Sequence, residues 1–168
     1  MRLLLSLFFL LISFCAPAHA EERRTASYEE HLLLIVDAVN GAQKSIQAVF
    51  YILPKNPISL SLLGAHTRGV KVQIVADMKT SSGQNSVATY LATQDVPIRL
   101  CRKFGISINQ FVMIIDGERV QSGNILYTID KYAKNIIMQD EDPEFVEDSL
   151  TKWERLWREG KEVVAKKY

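Results

Sequence analysis

The chain has 168 residues, enough for one ordinary domain and too few for two comfortable ones. With 48% hydrophobic and 23% charged residues it is neither a disordered tail nor a multi-spanning membrane protein. Lys and Arg number 20 against 19 Asp and Glu, and a net charge of +1 supplies no basic field of the kind that drives non-specific nucleic-acid binding.

Residues 1–20 read as a secretory signal: Arg2, an apolar run from Leu3 to Phe14, Pro17, and Ala18-His19-Ala20 in the small-x-small pattern of a signal peptidase site. The run is too short for a permanent membrane helix, and the bulky Phe14 before Cys15 argues against lipid attachment. Residues 21–168 are then the mature domain, formally neutral, and the protein is expected to be secreted, to the periplasm in a bacterium. Cys15 leaves with the signal. Cys101 alone can form neither an internal disulfide nor a metal site, and its apolar strand context predicts burial.

From there helix and strand signals alternate, which predicts an α/β fold. Ser27-Tyr28-Glu29-Glu30 is a capping box opening a helix that Gly41 closes, with Ser45 to Leu53 as the first strand. A short helix over 58–66 and a strand over 70–76 follow, ending at Asp77. Residues 79–85 read as a solvated loop; it could cradle a phosphate but lacks P-loop spacing. Then come a helix over 86–93, a strand over 96–101, an apolar strand over 109–115, a turn at Asp116-Gly117, and strands over 118–122 and 135–139. Asp142 caps a terminal helix with Pro143 at its first position, and Val146, Leu150, Trp153 and Trp157 share one face, a core pattern rather than a ligand platform.

This order resembles the phospholipase D superfamily, specifically its small secreted bacterial endonuclease branch with one motif per chain. The strings that carry it are Ala42-Gln43-Lys44-Ser45-Ile46, Arg68-Gly69-Val70-Lys71-Val72 with Asp77 after it, the run from Asn109 to Thr128, and Trp153-Glu154-Arg155-Leu156-Trp157. The resemblance implies a mixed sheet flanked by helices. It also implies the signature H-x-K-x-x-x-x-D followed by a Gly-Ser turn and an Asn. In that family one His attacks the phosphodiester, a second protonates the leaving oxygen, Lys neutralises phosphate charge and Asp holds the His ring.

Here the signature is degenerate. Asn109 stands at the His position, Phe111 at the Lys position, Asn124 at the Ser and Leu126 at the following Asn, while Asp116, Gly123 and Thr128 persist. Lys134-Asn135 matches the family's supporting Glu-Asn pair with one charge reversed. An amide has no lone pair available for attack on phosphorus, and a phenyl ring balances no charge. The expectation is therefore a non-catalytic binding scaffold. In it Phe111 fills the space of the lost Lys, Asp116 takes Lys134 as a new partner, and Lys134 and Asn135 face whatever ligand is bound. The alternative is a phosphodiesterase acting on phospholipid or nucleic acid with altered machinery. His31 and His66, the histidines after residue 20, are read as helix residues without a catalytic setting, His31 at the surface or half-buried. By resemblance the partners are a second copy of the chain, with the strand around Phe111 near the two-fold axis, and a phosphate-containing ligand. No cofactor and no metal are expected.

Overall fold

The structure, a computed structural model, describes residues 22–55, 57–102, 110–124 and 135–164. The signal segment, Asn109, Leu126, Thr128 and Lys134 lie outside the described residues. Along the chain run β1 (Glu22–Ala26), α1 (Tyr28–Gly41), β2 (Ser45–Phe50), α2 (Pro57–Thr67), β3 (Lys71–Asp77), α3 (Met78–Ser81), α4 (Val87–Thr93), β4 (Ile98–Cys101), β5 (Gln110–Ile115), β6 (Arg119–Asn124), β7 (Asn135–Asp140), α5 (Pro143–Glu159) and β8 (Lys161–Glu162).

The strands form one mixed sheet in the order β1-β7-β6-β5-β2-β3-β4-β8. β2, β3 and β4 are parallel because helices return the chain between them, whereas β5 and β6 are an antiparallel hairpin. Asp116 and Gly117 close that hairpin with φ of 58° and 71°, the doubly positive backbone of a type I′ turn. β2 joins the two halves of the sheet, parallel to β3 on one side and antiparallel to β5 on the other.

Alternation along the central strands sorts apolar side chains onto two faces. Ile46, Ala48, Phe50, Phe111, Met113 and Ile115 pack under α1 and α2. Val49, Val75, Ile114 and Val120 pack with Val146, Trp153 and Leu156 of α5 on the opposite face. Cys101 belongs to this second core, 4% exposed, with its thiol donating to the Leu156 carbonyl at 3.0 Å. The expected packing of the terminal helix holds, with Trp157 stacked on Trp153 at a ring separation of 5.1 Å.

The fold predicted from the sequence is the fold observed, with local differences. The expected first strand is shorter, ending at Phe50, and β1 and β8 add an edge strand on each side of the sheet. The expected loop over 79–85 begins instead with a short helix, α3, whose N-cap Asp77 accepts from the Thr80 amide at 3.0 Å. The Thr80 hydroxyl also donates to the Tyr51 carbonyl at 2.6 Å, tying this segment to the end of β2. His31 is not at the surface: it is 2% exposed.

Candidate functional site

The described part of the run from Asn109 to Thr128 occupies β5, its hairpin turn and β6. Phe111 lies near the start of β5 and is paired in register with Phe50 at the end of β2. Its ring is 1% exposed and stacks on Phe50 with centroids 6.1 Å apart and planes 20° apart. The imidazole of His31 approaches edge-on at 6.3 Å and 79°. Phe50, Phe111 and His31 thus form a buried aromatic cluster at the start of β5.

His31 contributes a polar group to this cluster without a polar partner. Neither ring nitrogen has a hydrogen bond. Burial disfavours the charged imidazolium and pulls its pKa down to about 4, so the ring is neutral at pH 7. A side chain that is 2% exposed cannot meet a phosphodiester without rearrangement, and a neutral ring supplies no positive charge.

The expected pairing of Asp116 with Lys134 falls on a residue outside the described ones. Asp116 lies five positions beyond Phe111, so the two are about 17 Å apart along an extended strand, and Asp116 is remote from Gln110 at the start of β5. One carboxylate oxygen accepts from the backbone N–H groups of Gln43, Lys44 and Ser45 at 3.1, 2.7 and 3.0 Å, and the other accepts from Gln43 at 3.0 Å. Partial burial raises its pKa, but the amides of Ser45, Lys44 and Gln43 together with the charge of Arg119 outweigh that and hold it below the usual range. The need for a new partner, which motivated the pairing with Lys134, is met by backbone donors on the loop between α1 and β2.

Of the remaining positions, Gly123, Asn124 and Asn135 are described, and each sits at the join of neighbouring strands. A Cβ at Gly123 would stand 2.2 Å from the carbonyl oxygen of Ile136, so the approach of β6 to β7 requires glycine. Asn124, at the family's Ser position, accepts from the Ile136 amide at 2.6 Å through Oδ1 and so extends the join between β6 and β7. Asn135 opens β7, paired with Ala26 at the sheet edge. Among the described residues no cluster of three or more His, Cys, Asp and Glu could hold a metal ion, and no helix is long and apolar enough to cross a membrane.

A mixed sheet with helices on both faces and a central β5–β6 hairpin is the framework in which Phe111, Asp116, Gly123 and Asn124 are held. A family model described as the PLD-like domain of cardiolipin synthase matches residues 35–157, and the chain belongs to that phospholipase D-like family. Among curated relatives, the phospholipase D of Rickettsia prowazekii is 30% identical over 122 residues, covering 71% of this chain and 58% of that protein. The mitochondrial cardiolipin hydrolase of Xenopus laevis is 26% identical over 122 residues, covering 71% and 57%. The chain therefore spans less than two thirds of the length of either. Of the solved structures, Nuc from Salmonella typhimurium, a phospholipase D family member, superposes with a TM-score of 0.74 at 24% identity, covering 87% of this chain and all of that one. NucT from Helicobacter pylori gives 0.71 at 17% identity, covering 84% and 98%. Both share the fold.

Proposed function

We propose that the protein is a secreted, non-catalytic member of the phospholipase D-like family that uses the scaffold for binding. The observation that carries this reading is the burial of Phe111 between Phe50 and His31, at the position where the family's chemistry calls for a lysine facing the substrate. The pattern around it supports the same reading. Asp116 and Gly123, which the backbone needs, are retained, whereas the positions that chemistry needs hold Asn109, Phe111, Asn124 and Leu126. Release from catalysis with the fold maintained leaves that division.

Under this proposal residues 21–168 act as one domain after removal of the signal, and the ligand class carried over from the relatives is a phosphate-containing molecule. Lys134 and Asn135 are the proposed contacts to it. Two copies pair, as one-motif members of the family are expected to. The Phe111 ring, buried within its own chain, takes no direct part in that contact.

The test is an assay of the purified protein on DNA, RNA, phosphatidylcholine and a chromogenic phosphodiester, for which turnover at background is expected. Hydrolysis that follows the protein through gel filtration, and disappears in an Asn109→Ala variant with an unchanged circular dichroism spectrum, would overturn the reading. Light scattering of the same sample should give the mass of two chains at about 10 μM or above, concentrations that capture even a micromolar dimer.

A further inference from the structure

Helix α2 has no charged side chain between Pro57 and Ala65 and is apolar on all sides, a composition ordinarily reserved for helices covered all round. Yet Leu60, near its start, is 62% exposed. It is one of three large apolar side chains that converge on a single groove, with Tyr90 of α4 at 50% and Val164 after β8 at 84% exposure. The groove runs between α2, α4 and the segment following β8, with a volume of about 1060 Å³. That is at the upper end of the range of about 300–1,000 Å³ usual for small-molecule sites.

The polarity of the groove is divided along its length. At one end lie Lys55, just beyond β2, and Ser82, Gln84 and Asn85, beyond β3. The hydrogen bond from Thr80 to the Tyr51 carbonyl ties these two segments together at the carboxyl ends of two parallel strands, the place where α/β sheets offer polar groups to ligands. At the other end, α4 has run back to the start of β4, and the Val163 amide donates to Ile98 at 3.0 Å, which brings Val163 and Val164 alongside. Serine and threonine side chains elsewhere in the lining are already engaged: Ser59 donates to Pro54, Thr89 to Gly83 and Thr93 to Tyr90. Among the described residues Lys55 is the single charged residue of the lining, and no carboxylate belongs to it.

We propose that this groove binds a single-chain amphiphile with an anionic head. The head lies at Lys55 with the amides of Gln84 and Asn85 as hydrogen-bond donors, and the alkyl chain lies along Leu60 and Tyr90 toward Val164. A carboxylate and a phosphate monoester share the chemistry that this end of the groove recognises. None of the lining residues belongs to β5 or β6, so the proposal goes beyond the non-catalytic reading and is tested by variants that leave those strands untouched.

Calorimetric titration of the protein with laurate, with dodecyl phosphate and with a nonionic dodecyl glycoside, all below micelle formation, tests this. Saturable binding of one anionic amphiphile per chain is expected, with the glycoside weaker by about threefold or more, the size of one partly exposed charge contact. Equal affinity for the two acids assigns recognition to charge alone, and a preference for one identifies the head; both support the proposal. Lys55→Gln should abolish the advantage of the acids over the glycoside. Tyr90→Asp, at a half-exposed position that should not disturb folding, should weaken all three by about tenfold or more. Circular dichroism melting of each variant should match the parent. Absence of saturable binding by the parent, or binding left unchanged by Lys55→Gln and Tyr90→Asp, would refute the proposal.

Discussion

Asp116 illustrates how a residue can outlast the chemistry of its motif. Its carboxylate closes the loop before β2 through the amides of Gln43, Lys44 and Ser45, a task independent of whether a nucleophile stands at the far end of β5. Asp116→Ala leaves those donors without their acceptor and should lower stability by about 1–3 kcal/mol in urea denaturation. Asp116→Asn, which keeps one oxygen acceptor, should cost less. His31 adds a pH dependence of definite sign. Its pKa is near 6.5 when unfolded and about 4 when folded, so between these values the unfolded chain binds more protons. Stability is therefore full above pH 6.5 and falls as the pH drops toward 4, by about 3 kcal/mol over the whole window. Most of the fall between pH 6.5 and 5 should vanish in His31→Phe, whereas an unchanged slope would mean that other groups carry it. The Asp116-Gly117 turn was legible in the sequence because its residue types are local. The three amides that meet Asp116 were not, since they come from a loop more than 70 residues away.

At the level of elements, what could be read depended on whether the determinant was local. The capping box is present, with Ser27 Oγ accepting from the Glu30 amide at 3.3 Å and Glu30 accepting from the Ser27 amide at 2.9 Å. Ser27→Ala should cost about 1 kcal/mol in a thermal or urea melt. The sequence hid α3 because a single turn has little propensity of its own and owes its form to the Asp77 cap and the Thr80 link to Tyr51. It hid β1 and β8 for another reason. Both are edge strands built largely from charged residues, which carry no alternating apolar signal and are suited to blunting a sheet edge. Gly123 offers a test of the join between β6 and β7. A methyl group there meets backbone rather than a movable side chain, so Gly123→Ala should destabilise by more than about 1 kcal/mol and speed hydrogen exchange in β7 before the rest of the sheet. Uniform exchange would mean that the strain spreads and that β7 is not held by this contact.

Across the whole molecule, the fold was readable because two apolar periodicities, one for each face of the sheet, run through the central strands. The candidate site was read from the sequence only through the resemblance, in which Asn109 and Phe111 stand where a His and a Lys are expected. How those departures were absorbed required the third dimension: Phe111 joins Phe50 and His31 in a cluster drawn from three separate elements. This makes reversal a demanding experiment. Phe111→Lys places an ammonium group in a space that holds two aromatic rings and no carboxylate from the described residues, at a cost of about 3–5 kcal/mol for an uncompensated buried charge. Adding Asn109→His supplies an imidazole in name, yet Asp116 is already engaged by the amides of Gln43, Lys44 and Ser45 and Asn124 by that of Ile136. The double variant should therefore melt at lower temperature than the parent and hydrolyse a chromogenic phosphodiester no faster. Robust turnover from these two changes alone, in a protein of unchanged stability, would show that the supporting shell survives, and that the cluster around Phe111 is a lid over a competent site rather than its replacement.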